Sequence, residues 1–261
     1  MLTGEALLKF LSKEPGTDDY KDGSTKLSPG KELTTLRREF PDLAAHLTGK
    51  RVIDFGCGGG RQSVSLVRDV HCYVCGIDTN SRALQNAKDL AGHSGLSEKE
   101  IEFRERVTAD MHGKFDAVIS QNAMEHYLNP AAVLNDMKSL IHEKGKILIT
   151  FGPPWLAPYG SHMHFFCRIP WLNILFSERS VMAVRALYRS DGAKRYEDVE
   201  SGLNKMTVSK FERIVSESGL GISYKKYSCI KGQNWLANIP LVRELFINRV
   251  TCVLSYNESN L

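Results

Sequence analysis

Apolar residues gather along this chain in short runs that alternate with stretches of helical spacing. Residues 51–55 (RVIDF) form a continuous, largely apolar run that collapses into glycine at positions 56, 58, 59 and 60. The spacing turns helical over 62–70 (QSVSLVRDV) and returns to a strand pattern over 72–78 (CYVCGID). It is helical again over 81–92 (SRALQNAKDLAG), with Thr79, Asn80 or Ser81 as the cap and Gly92 as the stop. Further strands are predicted over 101–107 (IEFRERV), 115–121 (FDAVISQ) and 146–151 (KILITF), and a helix over 130–142 has Asn129 as cap and Pro130 at its first position. Near the end a helix over 207–219 precedes strands over 222–230 and 248–256. Short strands separated by helices of this length predict an α/β fold, a mainly parallel sheet covered on both faces.

Two segments break the alternation. Residues 1–48 read as an N-terminal helical cap, with a helix over 3–13, a polar loop and a helix over 31–46. Residues 152–206 interrupt the main domain, 49–261, as an insertion after the fifth strand. The insertion opens GPPWLAPYGSHMHFFCRIPW, in which prolines and glycines shape the backbone. Trp155, Tyr159, Phe165, Phe166 and Trp171 supply aromatic walls, as expected of a lid above a small-molecule pocket. The stretch 177–206 mixes Arg and Lys with Asp and Glu, which reads either as a solvated helix face or as a surface admitting an anionic or sugar-bearing acceptor.

Composition narrows the classes. The 261 residues, 42% hydrophobic and 25% charged, suit one large globular domain with an insertion. No run approaches the ~18 apolar residues of a membrane span, and the first residues lack a secretory pattern, so the expected location is cytoplasmic, with no membrane association. A net charge of +4, spread along the chain, permits an anionic ligand without indicating nucleic acid. Of the six cysteines, Cys72 and Cys75 are three apart in a strand and face opposite ways, which predicts core thiols rather than a zinc knuckle. Nothing in the pattern specifies an oligomeric state.

The glycine turn raises the chemical question. A dinucleotide fingerprint requires glycine at 61, where this chain has Arg61, and no Gly-Lys-Ser or Gly-Lys-Thr follows to make a P-loop. Asp78 ends the second strand, where a carboxylate accepts hydrogen bonds from both hydroxyls of a ribose. Asp54, just before the turn, suits a cationic group better than a pyrophosphate, or else braces the turn through backbone N–H groups. A ribose joined to an ammonium group points to S-adenosyl-L-methionine.

VIDFGCGGG, the Asp of CGID, FDAVISQNAMEHYLNP and GKILITF, in this order and at these spacings, resemble the class I S-adenosylmethionine-dependent methyltransferases. The likeness is particularly to the broad group whose first motif varies on D-x-G-C-G-x-G. The resemblance covers 50–151 and returns over 207–256; the Pro/Trp-rich segment is also similar to a set of bacterial methyltransferases with an insertion after strand five. It implies a Rossmann-like, seven-stranded, mostly parallel sheet with an antiparallel last strand, NRVTCVLSY lying beside strand five. It further implies that Gly56, Cys57, Gly58 and Gly60 line the cofactor, that Asp78 with Thr79 holds its ribose, and that Gln121 and Asn122 lie near the sulfonium. Relatives often place an acid after strand three for the adenine. That position falls near Val107 here, leaving Asp110, or the backbone from Ala109 to Met111, to fill the role. Tyr20 belongs to a segment that in the family often closes over the cofactor.

Methyl transfer needs alignment of the nucleophile and, for a hydroxyl, a base for its proton. His126, His162 and His164 are the candidate bases, each with a structural alternative: His126 tying its loop to the backbone, the other two packing among aromatics. His126 resembles the Glu-His pair of relatives that, in ubiquinone biosynthesis, adds a further acid at a divalent metal; Asn122 stands at the matching position, so no metal is expected. The reading is a methyltransferase acting on a small-molecule or glycan hydroxyl. Its rivals are an RNA or protein methyltransferase and a non-catalytic adenosylmethionine-binding protein.

Overall fold

The computed structural model describes residues 4–13, 27, 30–199, 202–240 and 242–257. Tyr20 lies outside the described residues. Three short helices come first: α1 (Gly4–Leu11), α2 (Thr34–Glu39) and α3 (Leu43–Leu47). The helix expected over 31–46 is therefore two helices, because Pro41 has no N–H to donate and pushes Phe40, at φ −130 and ψ 82, out of the helical region.

The alternation predicted from hydrophobic spacing then appears as β1 (Arg51–Phe55), α4 (Arg61–Val70), β2 (Tyr73–Ile77), α5 (Ser81–His93), β3 (Ile101–Arg104), β4 (Phe115–Gln121), α6 (Pro130–Leu140) and β5 (Ile141–Phe151). The insertion carries α7 (Leu172–Leu175) and α8 (Glu178–Arg185), and the chain ends with α9 (Val208–Glu217), β6 (Leu220–Cys229), α10 (Arg243–Phe246) and β7 (Ile247–Tyr256). The caps follow side-chain chemistry: Asn80 accepts from the N–H groups of Arg82 and Ala83, Asn129 from that of Ala132, and Thr207 from that of Lys210.

The seven strands form one sheet in the order β3-β2-β1-β4-β5-β7-β6. The first five are parallel, and β7 runs antiparallel between β5 and β6. NRVTCVLSY thus lies beside β5 as expected, with Phe151 opposite Val250. Strand β5 starts earlier than position 146: Ile141 pairs with Phe115, then the register breaks before Ala117 meets Lys146. The order reverses at β1, whose neighbours are β2 and β4, and that reversal places the ligand crevice at the carboxyl ends of these strands.

One core packs α6 and α9 on a face of the sheet, through residues such as Met137, Phe151, Phe211 and Val250. A second packs α2, α3 and α4 on the other, through Leu36, Leu47, Val52 and Val64. A third belongs to the insertion and includes Phe166, Val181, Met182, Tyr196 and, from α1, Leu8. The two parts of the N-terminal segment therefore pack in different places. The mixed-charge stretch is not wholly solvated either: Arg185 is buried, and its two terminal nitrogens donate to Asp191 at 2.6 and 2.5 Å. All six cysteines are buried and free. No helix among the described residues is long and apolar enough to cross a membrane.

Gly60 shows what the missing glycine at 61 leaves to its neighbour. It holds φ 73, and a Cβ there would lie 2.6 Å from the Cβ of Ala87 on α5 and 3.0 Å from that residue's Cα. The close approach of α4 to α5 depends on this position, and the clash is against backbone that cannot turn aside. Gly60→Ala is expected to destabilise the fold by about 2 kcal/mol or more, from overpacking and an unfavourable φ together. Urea unfolding would show a lower midpoint at unchanged slope.

Candidate active site

The site is built from the ends of β1, β2 and β4. Asp54 on β1 is 1% exposed, and its two oxygens accept from Gln62 Nε2 at 2.7 Å and Ser63 Oγ at 2.6 Å. It braces the first turn of α4 through side chains rather than backbone N–H groups, and burial pushes its pKa up to about 6. The Cys57 side chain is also turned inward, buried where a Cβ on Gly76 would come within 2.9 Å of its Sγ. Gly60 serves helix packing, as described above.

Gly56 faces the other way. At φ 79, a Cβ there would meet Ala123 Cβ and Tyr127 Oη at 3.0 Å each. Its bareness lets Tyr127 reach across, where the hydroxyl donates to the Phe55 carbonyl at 3.1 Å and sits 3.0 Å from Ser120 Oγ. Asp78, at the tip of β2, accepts from the Gly58 N–H at 2.8 Å and the Asn80 N–H at 2.9 Å. Above these groups lies a cavity of about 200 Å³ whose lining includes Gly56, Asp78, Thr79, Glu105, Val107 and Tyr127. A Cβ on Gly58, at φ 50, would meet nothing within 4 Å, so the turn presents open backbone. Bare backbone, a carboxylate and apolar walls fit an adenosyl group.

Two wider depressions, of about 500 and 520 Å³, lie elsewhere: one by Gly113, His142 and Tyr256, the other along α5 and β3. Neither is lined by the glycine turn or Asp78.

Not every expected residue comes to the cavity. Asp110 is exposed and paired with Arg104 at 3.2 Å, and Met111 is buried in the core, so of the segment after β3 it is Glu105, Arg106 and Val107 that line the space. Tyr127 and Glu105 line it without having been singled out by sequence, although Tyr127 stands in MEHYLNP immediately after His126.

The loop after β4 is clamped by the end of the insertion. Asn204 Nδ2 donates to the carbonyls of Met124 at 2.7 Å and Tyr127 at 2.8 Å, and its N–H donates to the Glu125 carbonyl at 3.0 Å. His126 Nδ1 lies 2.7 Å from the Gly202 carbonyl. A carbonyl only accepts, so in the neutral ring Nδ1 carries the proton and Nε2 keeps its lone pair. His162 packs edge-on against His126 with ring centroids 5.6 Å apart. Its Nε2 is 3.3 Å from the Pro153 carbonyl, and burial, with His126 as a lesser cause, lowers its pKa to about 4. His164 is exposed and rests edge-on against Tyr159, with centroids 5.0 Å apart. The structure thus pairs His126 with His162 and leaves His164 outside.

Glu125 is buried. Its Oε1 accepts the Gly152 N–H at 3.2 Å, its Oε2 has no partner, and burial raises its pKa. Gln121 Oε1 is likewise buried and unpartnered. Asn122, at φ 51, accepts from Arg249 Nη1 at 2.9 Å. Among the described residues no three His, Cys, Asp or Glu side chains converge as a metal site would require.

Residues 46–153 match the family model of a methyltransferase domain. The ubiquinone biosynthesis O-methyltransferase of Paraburkholderia xenovorans (strain LB400) is 33% identical over 130 residues, 49% of this chain and 56% of the relative. The enzyme of the same name from Neisseria meningitidis serogroup C (strain 053442) is 31% identical over 136 residues, 51% of this chain and 57% of the relative. The chain therefore spans little more than half the length of these curated relatives. Among solved structures, a geranyl diphosphate methyltransferase in complex with GPP and sinefungin superposes with a TM-score of 0.57 at 14% identity, covering 86% of this chain and 79% of that one. The magnesium protoporphyrin IX methyltransferase of Synechocystis PCC 6803, with bound SAH, gives 0.52 at 17% identity over 87% and 84%. At these identities the likeness establishes the fold, the Rossmann-like sheet of the class I methyltransferases.

The His162 environment has a consequence in solution. With a folded pKa of about 4 against 6.5 in the unfolded chain, the unfolded state holds more protons in between, so this group's contribution to stability is complete above pH 6.5 and is lost as pH falls toward 4. Between pH 7.5 and 5 the loss is on the order of 2 kcal/mol. His162→Gln is expected to flatten the pH dependence of urea-unfolding stability by about that amount relative to wild type.

Proposed function

We propose, from the premise that residues 46–153 form a methyltransferase domain within a class I methyltransferase fold, that this chain is an S-adenosylmethionine-dependent O-methyltransferase of a small hydroxylated acceptor. The observation that carries the reading is Asp78, held at the mouth of the cavity by the Gly58 N–H. That carboxylate receives the ribose hydroxyls, with Thr79 beside it, while the open backbone of Gly58 admits the amino-acid end. Val107 supplies an apolar wall for the adenine. Tyr127 fixes the distance between β1 and the loop after β4, and Gln121 and Asn122 stand at the sulfonium end. When bound, the cofactor supplies an electrophilic methyl group for in-line displacement by the acceptor oxygen.

The chain's own chemical contribution is the removal of a proton. His126 is the base: the Gly202 carbonyl fixes its tautomer, leaving Nε2 to accept the hydroxyl proton as oxygen attacks. His162, kept neutral by burial, holds the His126 ring edge-on without adding a competing charge. The names of the relatives in ubiquinone biosynthesis support oxygen as the atom methylated and a small molecule as the acceptor class.

The test uses labelled S-adenosylmethionine with catechol as a generic acceptor. Wild type is expected to transfer label, and His126→Gln to lower kcat by about 10²-fold or more. Cofactor affinity by calorimetry should stay unchanged. Near-normal turnover in His126→Gln would remove the base assignment.

A further inference from the structure

Arg249 is a cation that the proposed transfer reaction leaves without a task. It lies one residue before Val250 on β7, and Val250 pairs with Phe151 at the end of β5. Its Cα is 3.1 Å from where a Cβ on Gly152 would stand. From there the guanidinium reaches over the end of the sheet, and Nη1 donates to Asn122 Oδ1 at 2.9 Å, immediately beyond β4. The side chain is partly buried, and desolvation lowers its pKa. Removing such a group from water is costly unless something compensates it.

The neighbouring carboxylates compensate it only in part, and neither bonds to it. Those acting on Arg249 are Glu39 and Glu125, and Arg38 opposes them. Glu39 is already committed: Oε1 accepts from Arg38 Nε at 3.0 Å, and Oε2 from Lys226 Nζ and Thr251 Oγ1 at 3.1 Å each. Burial raises the Glu125 pKa, its Oε1 is taken by the Gly152 N–H, and its Oε2 bonds to nothing, Arg249 included. Arg38, Lys226 and Arg249 thus face one committed carboxylate, and among the described residues Arg249 forms no ion pair. Asn122 occupies only one terminal nitrogen. The Nε and Nη2 edge remains, a planar fork matched to a single carboxylate.

We propose that Arg249 is the acceptor-recognition residue of this site and that the acceptor carries a carboxylate seated against its guanidinium. This rests on the methyltransferase reading, which places Asn122 and the end of β4 beside the transferred methyl group. Arg249 then orients the acceptor by its acid end, with Asn122 holding the guanidinium in place, while His126 acts at the hydroxyl.

Two probes differing in one charge test this: 3,4-dihydroxybenzoate and 3,4-dihydroxybenzyl alcohol, titrated into the protein saturated with S-adenosylhomocysteine. Wild type is expected to bind the acid at least 10-fold more tightly than the alcohol. Arg249→Gln should bring the ratio to about one, and Arg249→Lys should keep part of it, since a lysine retains the charge but not the fork. Cofactor binding should be the same in all three proteins. No preference for the acid in wild type, or a preference that survives in Arg249→Gln, overturns the assignment. Failure of S-adenosylhomocysteine to bind wild type would instead overturn the methyltransferase reading, and the same acid-against-alcohol comparison on the free protein would still judge Arg249.

Discussion

Asp78 ties together the two sides of the ligand crevice. One oxygen accepts from Gly58 in the turn after β1, and the other from Asn80 at the start of α5. With both bonds made, the glycine turn and the tip of β2 have a fixed separation, and the cavity between them keeps its shape. A carboxylate suits this position because it offers about four acceptor sites, so lone pairs remain for ligand hydroxyls after both backbone donors are satisfied. The other parts of the site are set relative to this frame. Tyr127 measures the distance from β1 to the β4 loop, and Gly56 leaves room for its hydroxyl.

The segment between β5 and α9 holds the loop after β4 in place. Its last residues, Gly202 and Asn204, bind the backbone and side chains of the loop from Met124 to Tyr127. The histidine with the open Nε2 is therefore positioned by a segment far from it in sequence. That clamp ties residues 202–204 to the loop after β4, and the Gly152 N–H ties Glu125 to the end of β5.

Much of the fold was legible because the signals are local. Strand and helix periods, and caps such as Asn80, Asn129 and Thr207, depend on residues within a few positions of one another. The break at Pro41 belonged to the same class of signal and was available in the sequence. The start of β5 was hidden, since HEKG looks like a turn and only the pairings on either side of it, Ile141 with Phe115 and Lys146 with Ala117, carry the strand across it. The site was legible in part: the glycine turn, Asp78 and His126 stand in ordered motifs. Gly60 against Ala87, Tyr127 against Gly56 and Arg249 against Asn122 are meetings across the fold, the last between residues 127 positions apart. Asp54 shows the same limit at shorter range, because spacing does not reveal whether its partners are backbone N–H groups or the side chains of Gln62 and Ser63.

The central claim is that the crevice framed by Asp78 and the glycine turn holds S-adenosylmethionine. Calorimetric titration of the whole chain with S-adenosylhomocysteine tests it most directly. The account predicts saturable binding at one site per chain, weakened at least 10-fold in Asp78→Ala, where the ribose contacts and the tie to Gly58 are lost together. Absence of binding by wild type, or equal affinity in Asp78→Ala, would contradict it.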